Sequence, residues 1–124
     1  MCSTFILLFM LFCHIVDDYY LQGWLASGKQ KAWWRKNTTD ELYKNDYIMA
    51  LFCHAFSWTF MIMLPIALAM NWNIGWWVLA YPINTCIHAF TDNLKANEMK
   101  INLIQDQMIH FIQIFGTWAM YCVV

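Results

Sequence analysis

His14, Asp18 and Gln22 are spaced by four residues at the end of an apolar run that is otherwise free of charge. On a helix they stack along one face. An imidazole and a carboxylate at this spacing can reach one ion from one helix, or hold each other in a defined protonation state. Such a stripe needs a reason, because a buried polar group costs free energy unless it is paired. The pattern recurs as His88 with Asp92 and as Asp106 with His110, while His54 stands in a further apolar segment without an acid at that spacing.

Neutral imidazole and carboxylate are the common ligands of zinc, iron and manganese. A divalent ion could lower the pKa of a bound water enough to make it a nucleophile near neutral pH. The expected ligand set is His14, Asp18, His54, His88, Asp92, Asp106 and His110. The carboxylates of Asp18, Asp92 and Asp106 are the candidates for catalytic work, as ligands or as groups that orient the rings. Gln22 and Gln107 are expected to add hydrogen bonds. Lys95 is expected to pair with Asp92 at i+3 or to snorkel to anionic headgroups. Asp17, turned about 100° from Asp18, is expected to be peripheral, and Cys13 and Cys53 to face away from the site for the same reason.

The same residues suit two other roles. Membrane helices associate through polar contacts, so a His/Asp/Gln network could hold a bundle together with no metal, in a non-catalytic protein that binds lipid or another membrane protein. Intramembrane acids and histidines also mark proton or ion paths.

The elements that position these residues follow from the composition. The chain has 124 residues, 61% hydrophobic and 12% charged, with eight Trp, six Tyr and nine Phe. That is too little polar surface for a globule in water, and the aromatics suit membrane belts. A net charge of −1 argues against a nucleic-acid partner. Five Cys without a CxxC support neither a disulfide framework nor a zinc knuckle, and read as buried, unreactive thiols.

Four apolar segments emerge, at about Ser3–Trp24, Asp46–Met70, Ile74–Leu94 and Asn102–Val124, each long enough to cross roughly 30 Å of hydrocarbon. The first lacks a basic start and a small-residue cleavage site, and reads as a structural helix rather than a signal peptide. The expected fold is all-α: one domain, residues 1–124, forming a four-helix transmembrane bundle of two hairpins. Residues 25 to 46, with Trp33 and Trp34 among basic residues, predict a short amphipathic piece in the headgroup layer. Thr38–Glu41 has capping-box spacing and predicts the start of the second helix. Pro82 interrupts the third segment, where Asn84 and Thr85 are expected to satisfy the carbonyl it frees.

All seven Lys and Arg fall in the first and third connections. The positive-inside rule then puts both termini outside and the basic connections in the cytoplasm, in a bacterial inner membrane. Counted from the ends of the segments, all four His lie roughly 9–15 Å below the cytoplasmic surface, whichever way their helices run. One pocket is therefore expected to gather them.

The chain also resembles a family of small bacterial and phage integral membrane proteins grouped as a domain of unknown function, number thirty-three zero seven. The resemblance rests on His14, Asp18 and Gln22; on Ala26-Ser-Gly-Lys-Gln-Lys31; on His54; on His88, Asp92 and Lys95; and on Asp106, Gln107 and His110. It implies a helical membrane protein and no particular activity. A more distant similarity, limited to His-x-x-x-Asp in membrane helices, is to inner-membrane proteins labelled metal-dependent hydrolases.

Overall fold

The computed structural model describes residues 2–73, 75 and 77–123. All regular structure among them is helical. Helix α1 (Ser3–Val16) runs on through a π-helical turn (Asp17–Leu21). Two short helices follow, α2 (Leu25–Gly28) and α3 (Lys31–Asn37), then a 3₁₀ turn (Glu41–Tyr43). The remaining helices are α4 (Asp46–Ala69), α5 (Trp77–Ala96) and α6 (Leu103–Val123). The four long helices pack together: α4 lies against α1, α5 and α6, and α6 also touches α1 and α5.

Each long helix presents one buried stripe with a four-residue step. The stripes are Ile6–Met10–His14–Asp18, His54–Trp58–Ile62–Ile66, Ala80–Asn84–His88–Asp92 and Asp106–His110–Ile114. Antiparallel neighbours with stripes of this order match apolar to apolar at one end and polar to polar at the other. The apolar end joins Ile6, Met10, Ile62, Ile66 and Ile114 in one cluster. The polar end gathers His14, Asp18, His54, His88, Asp92, Asp106 and His110, all buried.

Among the described residues, two stretches are long and apolar enough to cross a membrane, Ser3–Leu21 and Glu41–Ala69. Helices α5 and α6 fall short on average hydropathy, where four spans were expected. The cause is the polar residues they turn inward: Asn84, Thr85, Thr91 and Asp92 on α5, and Asp106, Gln113 and Thr117 on α6 are all buried.

Several local expectations are corrected. Thr38 does not cap α4; its hydroxyl donates back to Trp34 O at 3.1 Å and closes α3. Asp40 caps the 3₁₀ turn instead, accepting from Leu42 N at 2.9 Å, and α4 starts later, with Asn45 before it. The reciprocal cap occurs at α6, where Gln105 N donates to Asn102 Oδ1 (2.9 Å) and Asn102 N to Gln105 Oε1 (3.0 Å). Asn84 and Thr85 donate to the carbonyls of Ala80 and Tyr81, while Pro82 frees the carbonyl four residues before it, that of Val78. Of the five thiols only Cys13 is buried; Cys2, Cys53, Cys86 and Cys122 are exposed. The expected start of the third segment at Ile74 and end of the fourth at Val124 lie outside the described residues.

The turn between α5 and α6 is held by charge. Lys100 Nζ lies 2.6 Å from Glu98 Oε2 and holds that carboxyl below the usual carboxylate range.

Candidate metal centre

The π-helical turn places two adjacent acids in the interior. Gln22 N bonds to Asp17 O at 3.1 Å, a bond one residue longer than the α-helical one. Because α1 has α4 on one side and α6 on the other, both acids find buried partners. Asp17, expected to be peripheral, is 1% exposed; it accepts from Ser57 Oγ at 2.7 Å and lies 4.0 Å from His54 Nδ1. Asp18 faces His54 Nε2 at 3.2 Å and His110 Nδ1 at 3.7 Å.

The four imidazoles meet, as their depth predicted. His88 stacks on His110 with ring centroids 4.2 Å apart, His54 lies 5.1 Å from His88, and His14 lies 5.7 Å from His110. None is more than 1% exposed. Among the described residues, three groups of donors have ligand atoms within 4.8 Å of one another: His14/Asp18/His110, Asp18/His54/His88 and His88/Asp92/His110. These groups could hold a metal ion.

The closest packing is around His54 Nε2. It lies 3.2 Å from His88 Nε2, 3.2 Å from Asp18 Oδ1 and 3.4 Å from Asp92 Oδ2. Ligands at zinc-like bond lengths in a tetrahedron are about 3.3 Å apart, so these spacings suit a small divalent ion. His110 Nε2 is 3.7 Å from Asp92 Oδ1. Both nitrogens of His110, and Nδ1 of His54 and His88, are buried without a hydrogen-bond partner. Buried polar atoms are nearly always partnered, so such a concentration asks what completes them.

His14 differs from the other three rings. Trp58 Nε1 donates to its Nδ1 at 2.8 Å, so Nδ1 carries the lone pair and Nε2 the proton. Nε2 then donates to Gln107 Oε1 at 3.0 Å. Gln107 Nε2 in turn donates to Asp18 Oδ2 (3.2 Å) and Asp106 Oδ2 (3.1 Å). Gln107 thus adds the hydrogen bonds expected of it and links His14 to two acids. Gln22 bonds to the backbone carbonyl of Asp18, away from the rings.

Two lysines neutralise the acids, in an arrangement the sequence did not indicate. Lys95 pairs with Asp106 Oδ2 at 2.7 Å, not with Asp92. Asp92 Oδ2 is taken instead by Lys29 Nζ at 2.6 Å. Lys29 reaches in from the end of α2, whose position is fixed by Asn97. That side chain donates to Lys29 O (3.0 Å) and accepts from Lys31 N (2.7 Å). Gly28 makes the approach feasible, since a Cβ there would meet the Trp24 ring at 2.7 Å.

Asp106 sits at the edge of the cluster. Its Oδ1 is 3.9 Å from His110 Nε2, and it belongs to none of the three donor groups. Trp58 and Ser57 were missed by sequence reasoning. A Trp one turn after His54 carries an N–H that must find an acceptor when buried, and that was the available signal.

No family model, no curated protein and no solved structure matches this chain.

Proposed function

We propose that the chain is an inner-membrane protein of four spans, with both termini outside, that binds a divalent ion just beneath the cytoplasmic face and serves a hydrolytic reaction. The observation that carries this is the set His54, His88, His110, Asp18 and Asp92. Its donor atoms are buried and closely spaced, and among the described residues both nitrogens of His110 have no hydrogen-bond partner.

Charge supports the same reading. Of four carboxylates, Asp92 and Asp106 pair with the ammonium groups of Lys29 and Lys95, while Asp17 and Asp18 face the His54 ring. If all are ionised, two negative charges remain, the complement of one divalent ion. Leaving them unpaired in a low-dielectric interior would be costly. Bound there, zinc, iron or manganese would polarise a water for attack on an acyl or phosphoryl group. In this chain, Asp92 is oriented by Lys29 and Asp18 by Gln107, so both acids keep one defined direction toward the rings. Asp106 acts through Lys95 and Gln107. His14 could join as a ligand only by giving up its bond from Trp58.

The membrane reading is supported by what faces outward. Phe5, Leu8, Phe12, Leu79, Ile83, Ile104 and Ile112 are all more than half exposed, while the interior holds acids and imidazoles. This inside-out distribution also fits α5 and α6 as spans despite their lower hydropathy. Membership of the small membrane family that the motifs resemble belongs to the same proposal.

A structural network without metal is the second reading, favoured by the complete hydrogen bonding of His14. Elemental analysis of detergent-purified protein separates the two. We expect stoichiometric zinc, iron or manganese, lost in His88→Ala and His110→Ala. Metal-free protein, unaffected in stability by chelator or added ion, would overturn the metal centre.

A further inference from the structure

The first connection builds a second site that shares no residue with the metal centre. A cavity of about 510 Å³ lies between α3, the 38–45 segment and the first turn of α4. Lys31, Arg35 and Lys44 line it, with Trp34 and Tyr47. It also holds two acids: Asp40, whose Oδ1 accepts from Leu42 N, and Glu41, whose Oε2 pairs with Lys44 Nζ at 3.1 Å. Lys31 is held with Nζ 4.8 Å from the centre of the Tyr47 ring. Arg35 lies one turn on from Lys31, on the same face of α3, and has no ion pair among the described residues. The cavity lining thus carries three cations, Lys31, Arg35 and Lys44, against two acids, Asp40 and Glu41, and is net positive.

A second observation concerns α4. Along α4, Ile48, Phe52, Phe56 and Phe60 follow one another at four-residue steps and are 45–53% exposed. Between Ile48 and Phe60 this stripe runs about 18 Å. Trp34, a wall of the cavity, belongs to a cluster with Trp24, Trp33 and Tyr43, with ring centroids 5.1–6.4 Å apart. Trp and Tyr gather at the level of lipid headgroups. A net cationic cavity at the start of the helix that carries an exposed apolar stripe has the form of an amphiphile's complement. A free anion would use only the cavity.

We infer that this cavity binds the headgroup of an anionic phospholipid. The phosphodiester meets Lys31 and Arg35, and the acyl chains follow Ile48, Phe52 and Phe56 along α4. The inference rests on the membrane reading above and is independent of the metal centre.

Native mass spectrometry of the full chain in detergent tests it, with phosphatidylglycerol and phosphatidylcholine of matched chains as probes and inorganic phosphate as competitor. Two cations near a headgroup predict retention of phosphatidylglycerol over phosphatidylcholine by about thirtyfold. Arg35→Gln and Lys31→Gln should each weaken phosphatidylglycerol binding about fivefold. Lys36→Gln, whose side chain is exposed outside the cavity, should leave it unchanged. Circular dichroism verifies that each variant is folded. Equal retention of the two lipids, displacement by inorganic phosphate at comparable concentration, or an Arg35→Gln protein with undiminished preference would each overturn the inference. Solubility of the pure protein without detergent would overturn the membrane reading, and with it the premise of this site. Absence of metal would overturn only the metal centre.

Discussion

Lys29 Nζ meets Asp92 Oδ2 at 2.6 Å across 63 residues of sequence, and Asp92 is the acid that also faces His54 and His110. A loop lysine thus supplies one of the two positive charges at a site built by four helices.

Removing that ammonium should leave a buried carboxylate without its partner. Breaking a buried pair from one side costs about 3–5 kcal/mol. Lys29→Met keeps the length of the side chain and removes the charge, so the metal-free protein should lose stability on that scale. Zinc or manganese should then restore more stability to the variant than to the parent, because the ion supplies the missing charge. Unfolding by denaturing detergent, with and without ion, reads both effects. Equal response of the two proteins to the ion would refute the linkage.

Trp58 joins the rings in two ways: it stacks on His88 with centroids 4.1 Å apart, and it donates to His14 Nδ1. Trp58→Phe retains an aromatic face but removes the donor. His14 Nδ1 then becomes a buried acceptor without a partner, at a cost of about 1–3 kcal/mol. The nitrogen chemical shift of His14 Nδ1 should move as the bond is lost. A variant with the parent's shift would show that Trp58 does not set this ring's tautomer.

The meeting of the four imidazoles was legible because it depends only on helix rise and direction. His14, His54, His88 and His110 stand at matched distances from the polar connections, and that spacing survives any detail of side-chain packing. Asp17 was misread because a regular 100° step assigns it to another face. Neither the π-helical turn nor the presence of a neighbour on both sides of α1 is written in local sequence. The partners of Asp92 and Lys95 were illegible for a related reason. Local spacing offers Asp92 and Lys95 to each other at i+3, whereas the fold gives each a partner from another segment. The cap of α6 is legible in Asn102 and Gln105, whose three-residue spacing is the same as that of Thr38 and Glu41.

That cap makes a direct prediction. Asn102 accepts from Gln105 N and donates its own N–H to the Gln105 side chain, so two backbone donors depend on the pair. Asn102→Ala should cost about 1 kcal/mol, and Asn102→Asp or Asn102→Ser should recover most of it. Thr38→Ala, by contrast, removes only a bond to Trp34 O in the exposed connection and should have a smaller effect. Equal losses from the two alanine variants would contradict the assignment of the helix start.

The four exposed thiols give a test of topology with natural residues. Cys2 and Cys122 lie at the same end of the bundle, where Cys122 Sγ is 2.8 Å from Ser3 Oγ and Trp118 donates to Ser3 O. Cys53 and Cys86 are exposed on α4 and α5, each one residue before or two before a histidine of the polar layer. If both termini lie outside, a membrane-impermeant maleimide added to intact cells should reach Cys2 and Cys122. Cys53 and Cys86 should stay unlabelled because lipid covers them, and should react once denaturing detergent is added. Cys53→Ser and Cys86→Ser should leave the labelling of intact cells unchanged, while Cys2→Ser with Cys122→Ser should abolish it. Labelling of the terminal thiols only in inverted vesicles would reverse the orientation. Labelling of all four in either preparation would mean that these faces meet water, and the membrane-spanning arrangement would have to be abandoned.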